Sequence, residues 1–147
     1  MKIGLCTGCF DLLHEGHLYF LEQAEAACDY LIVAVNSDRS VARLKGINRP
    51  VQTLNDRMLN IMARAPGCGA LVPFDGSTER LIMAIRPDVV ISGYDHGTVN
   101  EEVYAMRVPG WKNGVEDMDI IPVIRAKHLK GFSTTLQILA SVSKTNS

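Results

Sequence analysis

The sequence predicts an α/β fold in one domain, a doubly wound parallel sheet of about five strands with helices on both faces. Three observations predict it. Short apolar runs alternate with stretches of helical period along the chain. Those runs are strand-length and uninterrupted by polar residues, as expected of strands buried on both faces. Cap and stop residues fall at the boundaries between the two kinds of segment. At 147 residues and 47% hydrophobic composition, the chain can build one core without disulfide or metal staples.

Ile3-Gly4-Leu5-Cys6-Thr7 reads as the first strand, followed by a helix from about Gly16 to Cys28 with His17, Leu21, Ala24 and Cys28 on one stripe. Leu31 to Val35 is a continuous apolar strand, completing a βαβ unit whose strands should be parallel. Thr53, with Asp56 three residues on, opens a helix through Met58, Ile61, Met62 and Ala65, which Pro66-Gly67 stops. Ala70 to Pro73 is a third strand. Ser77 or Thr78 caps a helix carrying Leu81, Ile82 and Ile85, and Arg86-Pro87 ends it. Val89 to Ser92 is a fourth strand. Val99 to Arg107 is expected to be a helix ended by Pro109-Gly110, Ile120 to Ile124 a fifth strand, and Ser133 the cap of a last helix through Leu136, Leu139 and Ala140. Residues 1–142 thus form one Rossmann-like domain, and Ser143 to Ser147 a frayed tail.

Lys+Arg 15 against Asp+Glu 16 gives a net charge of −1, which argues against a nucleic-acid-coating protein, since phosphate backbones require a basic footprint. Anionic small molecules need only a local basic cluster. No apolar stretch approaches the roughly 20 residues of a membrane span, and the N-terminus shows no signal-peptide pattern. The expectation is a cytoplasmic protein with neither nucleic acid nor membrane among its partners. Cys6, Cys9, Cys28 and Cys68 read as reduced thiols. Cys6-x-x-Cys9 followed by His14 and His17 mimics a compact zinc or redox set, but strand alternation and the intervening turn would have to fold four ligands onto one point. No metal with protein ligands is assigned.

In an open α/β sheet, ligands bind outside the carboxyl ends of the strands. The first strand delivers Gly8-Cys9-Phe10-Asp11-Leu12-Leu13-His14-Glu15-Gly16-His17 to that rim. Two imidazoles three residues apart share one helix face, and a helix N-terminus adds free N–H groups and partial positive charge, so an anion should dock there. The second strand delivers Asn36-Ser37-Asp38-Arg39, the fourth Gly93-Tyr94-Asp95-His96, and the fifth leads to Gly131-Phe132-Ser133-Thr134-Thr135. Neither GxGxxG nor a P-loop follows the first strand.

His14-Glu15-Gly16-His17 and Phe132-Ser133-Thr134-Thr135 resemble, in order and about one domain apart, the two signatures of the HxGH nucleotidyltransferase superfamily. Within it, Gly8 to His14 resembles the cytidylyltransferase-like group. The longer match is to its branch of bacterial ADP-heptose synthase adenylyltransferase domains, through Val35 to Val41, Leu44-Lys45-Gly46, Arg49-Pro50-Val51, Asp56-Arg57, Val72-Pro73-Phe74 and Arg86 to Val89. The glycerol-3-phosphate cytidylyltransferases come next. The chain departs from the heptose branch after the fourth strand, with Ile91-Ser92-Gly93-Tyr94-Asp95-His96 in place of Lys-Gly-Gly-Asp-Tyr. The stretch from His96 through Lys130, carrying Tyr104, Arg107, Trp111, Arg125, Lys127 and Lys130, differs as well. Cys9 stands where a threonine or similar small residue is common.

The resemblance implies attack by a phosphomonoester on the α-phosphorus of a nucleoside triphosphate, ATP or CTP, with release of pyrophosphate. His14, His17 and Lys45 are then the expected catalytic residues. Gly8, Cys9, Phe10, Arg57, Gly93, Asp95, Phe132, Ser133, Thr134 and Thr135, with the two histidines, are expected to hold the nucleotide. Asp11, Asn36, Asp38, His96, Arg125 and Lys127 are expected at the acceptor, with Asp11 alternatively steering an imidazole, helping to hold Mg²⁺ or serving as a turn residue. Mg²⁺ is expected to ride mainly on triphosphate oxygens and water. The acceptor is a phosphorylated small molecule, a sugar phosphate such as heptose 1-phosphate first and glycerol 3-phosphate second. Adenylation of a cofactor precursor and nucleotide sensing without turnover are the lesser alternatives. Small relatives often dimerise, so a homodimer is among the partners the resemblance implies.

Overall fold

The computed structural model describes residues 1–93, 105–109 and 118–126, with the backbone alone at 105–109, 118–120 and 125. The elements in order are β1 (Ile3–Gly8), α1 (Glu15–Ala26), β2 (Tyr30–Asn36), α2 (Asp38–Lys45), α3 (Leu54–Arg64), β3 (Ala70–Phe74), α4 (Thr78–Ile85), β4 (Val89–Ser92), β5 (Ala105–Pro109) and β6 (Met118–Arg125). They build a six-stranded sheet of order β3-β2-β1-β4-β6-β5. All pairings are parallel except that of β5 with β6.

The expected α/β parallel sheet is thus present, with one antiparallel edge strand added. Strand residues alternate between two faces, and both faces are covered. Cys6, Val33, Val35, Val89 and Ile91 pack with Leu21 and Ala24 of α1 and Ile61 of α3. Their sequence neighbours Leu5, Ala34 and Val90 pack with Ile82 of α4 and Ile121 of β6. That period of two with apolar residues at every step is why β2 and β4 read as unbroken hydrophobic runs.

The predicted caps of α3 and α4 form. Thr53 accepts from the Asp56 N–H at 3.3 Å to open α3, and Ser77 opens α4. Arg86 closes α4 in the left-handed region, at φ 51°, and Pro87 prevents continuation. One element is added and one expectation is corrected. Residues 38–45, to which the sequence pattern assigns no element, form α2, opened by Ser37, which accepts from the Ser40 N–H at 3.1 Å, and ended by Gly46 at φ 111°. Its one fully buried hydrophobic residue, Val41, leaves almost no apolar stripe to read, so only the cap residues announce it. Ala105–Pro109 lies in strand β5 rather than in a helix over Val99 to Arg107. Met106 and Val108 alternate with Ala105 and Arg107, which suits a pleated edge, and Pro109 sits at the strand's end where a missing N–H is tolerated. Val99–Tyr104 and the expected last helix from Ser133 lie outside the described residues.

The strand order sets the position of the site. From β1 the chain winds outward through β2 and β3, then returns to place β4 on the other side of β1. The carboxyl ends of β1 and β4 therefore flank the point where winding reverses, and helices leaving them go opposite ways. A crevice opens there in such sheets. Gly8 ends β1 and Gly93 follows β4 at this point.

Candidate active site

The loop from Gly8 to His14 is held in a conformation its own residues disfavour. Phe10 and Leu12 both have left-handed backbones, at φ 52° and 55°, which costs roughly 1–2 kcal/mol for each non-glycine residue. Asp11, between them, provides the compensation. Its carboxylate accepts from the backbone N–H of Val51 at 2.7 Å, from that of Gln52 at 2.9 Å and from Arg49 Nε at 2.9 Å. Leu12 N–H donates to Gln52 Oε1 at 3.2 Å. Burial pushes the Asp11 carboxyl up, but these two backbone donors and the guanidinium outweigh it and hold the group below the ordinary carboxylate value. Gly8 is needed for space, since a Cβ there would lie 2.8 Å from the Phe10 ring.

Arg57 of α3 joins the same loop from beneath. Its side chain is fully buried and donates to Cys9 O at 2.7 Å, Gln52 O at 3.1 Å and Asp38 Oδ1 at 2.8 Å. Arg64, about two turns further along the same face of α3, donates to Leu13 O at 3.1 Å and Glu15 at 3.2 Å. Helix α3 and the segment before it thus act as a template for the loop after β1.

At the loop's end the two histidines cap α1 reciprocally. Gly16 N–H donates to His14 Nδ1 at 3.0 Å, and His14 N–H donates to His17 Nδ1 at 3.2 Å. This is a capping box with imidazoles in the roles usually played by Ser or Thr and Glu. The rings stack at 3.8 Å between centroids and 22° between planes, and Phe10 meets His17 edge-on at 5.6 Å. Because each Nδ1 accepts a backbone N–H, the neutral rings carry their proton on Nε2. Two parallel imidazoles therefore present Nε2–H donors beside a helix N-terminus, whose partial positive charge favours anions.

The expected site residues divide into three groups. Gly8, Cys9, Phe10, His14 and His17 come together at the end of β1. Asp11 and Arg57 were expected to touch substrate. They are 1% and 0% exposed and bonded to the protein, where both brace the loop; for Asp11 this is the turn role that stood beside acceptor contact among its alternatives. Asn36 is likewise buried, accepting from Ser40 Oγ at 2.8 Å and facing Cys9 Sγ at 3.8 Å. Asp38 is half exposed but pairs with Arg57. Lys45 is exposed at the end of α2, and Gly93 follows β4. Arg125 belongs to β6, opposite Ser92, with its side chain outside the described residues. Asp95, His96, Lys127, Phe132, Ser133, Thr134 and Thr135 lie outside the described residues altogether.

The residues missed as site members are Arg49, Gln52 and Arg64. Arg49-Pro50-Val51 was visible as a matching stretch, but its contact with Asp11 spans 38 positions, beyond what local pattern reports. Burial pushes the Cys9 thiol up, while Lys45, Arg57 and Arg49 pull the other way, so three cations act on this corner. Among the described residues, no group of three or more His, Cys, Asp or Glu could hold a metal ion. Cys6, Cys9, Cys28 and Cys68 are all free thiols.

The cytidylyltransferase-like family model matches residues 5–138. The chain is 42% identical over 140 residues to "Bifunctional protein HldE" of Acidiphilium cryptum, covering 93% of this chain and 26% of that protein. It is 50% identical over 97 residues to the protein of the same name from a Caulobacter species, covering 65% and 20% respectively. The chain therefore spans about a quarter or less of the length of these curated relatives. The crystal structure of the lipopolysaccharide core biosynthesis protein of Thermoplasma volcanium superposes with a TM-score of 0.68 at 22% identity, over 88% of this chain and 99% of that one. That likeness is one of fold.

Proposed function

The chain belongs to the cytidylyltransferase-like family of nucleotidyltransferases, and on that premise we propose that it transfers a nucleoside monophosphate, from ATP first among the triphosphates, to a sugar phosphate such as heptose 1-phosphate. The observation that carries this reading is the reciprocal histidine cap at the end of β1, where His14 and His17 are fixed with Nε2 as donor. The choice of a heptose-type acceptor rests on the match of Val35 to Val51 to the heptose branch and on 42% and 50% identity to the relatives above.

The reaction asks little proton chemistry of the protein. A phosphomonoester has its second pKa near 6 and is largely dianionic at neutral pH, so its oxygen attacks without a general base. A bond forms from that oxygen to the α-phosphorus, the bond from the α-phosphorus to the bridging oxygen breaks, and pyrophosphate leaves with the electron pair. Charge accumulates on the non-bridging and leaving oxygens. Preorganised donors lower the barrier there because they need no reorientation as charge builds. His14 and His17 fit that role, since backbone bonds fix their planes and tautomers in advance. The α1 N-terminus adds to the same field.

Among the described residues no carboxylate cluster suits a protein-held ion. Mg²⁺ is proposed to arrive on the triphosphate oxygens, and the steps assigned to the protein do not run through it. The test is acceptor-dependent pyrophosphate release, with ATP and CTP each paired against heptose 1-phosphate and glycerol 3-phosphate. Release confined to CTP with glycerol 3-phosphate would favour the cytidylyltransferase reading instead. Nucleotide binding with no release from any pair would leave a sensor.

A further inference from the structure

We propose that Arg49 is a phosphate-gripping residue of this site, positioned by Asp11; the inference rests on the nucleotidyl-transfer reading for its substrate but on geometry for its anion. Of the arginines around the loop after β1, Arg57 is spent on framework bonds to Cys9, Gln52 and Asp38. Arg49 differs. Among the described residues only its Nε is engaged, by Asp11 Oδ2 at 2.9 Å, and none takes Nη1 or Nη2. Neither Nη atom is among the buried atoms without a partner, so solvent reaches that end of the fork.

The anchor is rigid. Asp11 is buried and itself fixed by the Val51 and Gln52 N–H groups, and Arg49 N–H closes a turn onto Gly46 O at 3.1 Å. The Arg49 side chain is only 14% exposed, so the guanidinium is held against the loop instead of sweeping through solvent. A guanidinium bound through Nε leaves two parallel N–H donors on its far edge, the geometry that clasps two oxygens of a phosphate. Asp11 lies three residues before His14, and Arg49, with Lys45 and Arg57, acts electrostatically on Cys9 in the same loop. The cation is therefore placed at the loop whose far end holds the histidine pair. The ligand chemistry it fits is a phosphate or pyrophosphate group of the substrates.

The test measures binding of inorganic pyrophosphate by calorimetry to the parent protein, Arg49→Gln and Arg49→Lys, alongside pyrophosphate release by the parent. Loss of a bidentate charge-assisted contact should weaken pyrophosphate binding about 10- to 100-fold in Arg49→Gln. Arg49→Lys keeps a point charge facing Asp11 and should fall between. Binding to Arg49→Gln within about twofold of the parent, or no pyrophosphate binding by the parent, overturns the proposal. Should Arg49→Gln fail to fold, Arg49→Lys decides: weakening of several-fold supports the grip and unchanged binding overturns it. The two readings separate cleanly. Turnover by the parent with unchanged binding in the variants sinks Arg49 and leaves the function, whereas binding lost in the variants with no turnover by the parent sinks the function and leaves the anion site.

Discussion

At the scale of single residues, the imidazole pair does two jobs with different atoms. Nδ1 of each ring closes the start of α1, which makes Nε2 the donor atom of each neutral ring. Substituting His17 by Ala therefore should cut turnover by about 10²–10³, the usual cost of one preorganised donor, while nucleotide affinity falls far less. Steady-state kinetics beside equilibrium nucleotide binding checks this; equal losses in both would mean that His17 contributes only ground-state binding. Asp11 gives a pH prediction. Its folded carboxyl titrates below the ordinary 3.8, so on acidification the unfolded chain takes up the proton first. The stabilisation is complete at neutral pH and drains away as pH falls from about 4 through the folded value. Asp11→Asn should lose about 1–3 kcal/mol at pH 7 and show a flatter acid limb, read from urea midpoints between pH 7 and 3; parallel limbs for the two proteins would contradict it. The histidines were legible in the sequence because their geometry is local, three residues apart. The role of Asp11 was not, since its partners stand 38 to 41 positions away.

At the scale of elements, α3 and the segment before it shape the loop that β1 delivers. Arg57→Ala removes three hydrogen bonds and leaves Cys9 O, Gln52 O and the Asp38 carboxylate to find new partners. A loss of about 2–4 kcal/mol is expected by chemical denaturation; a change under about 0.5 kcal/mol would mean that the loop holds without its brace. Gly8→Ala pushes a methyl against the Phe10 ring, and Phe10 is the ring that seats His17. Overpacking of this kind costs roughly 1–3 kcal/mol, and turnover should fall with it, whereas wild-type stability and turnover would show that the ring yields freely. Strands β1 to β4 and helices α1, α3 and α4 were readable because each combines an apolar pattern with a cap or stop. Helix α2 lacks the pattern and β5 owes its strand conformation to pairing with β6, a tertiary cause no local window contains.

At the scale of the whole molecule, the strand order places the histidine loop at the reversal between β1 and β4, the position where sheets of this type open a crevice. Both covered faces keep that sheet rigid, so the donors at its edge are held in place before substrate arrives. Membership of the cytidylyltransferase-like family agrees with this placement, and one of the motifs that carried the family resemblance, Gly8 to His17, is the segment that builds the described site. The acceptor is the part that sequence left open, because the residues expected to read it, His96 and Lys127 among them, depart from the heptose branch. The most direct measurement is pyrophosphate release by the parent protein and His17→Ala, with ATP and heptose 1-phosphate present together and singly. The account predicts release only when both substrates are present, falling about 10²–10³-fold in the variant. No acceptor-dependent release with ATP or CTP and either phosphorylated acceptor would contradict it.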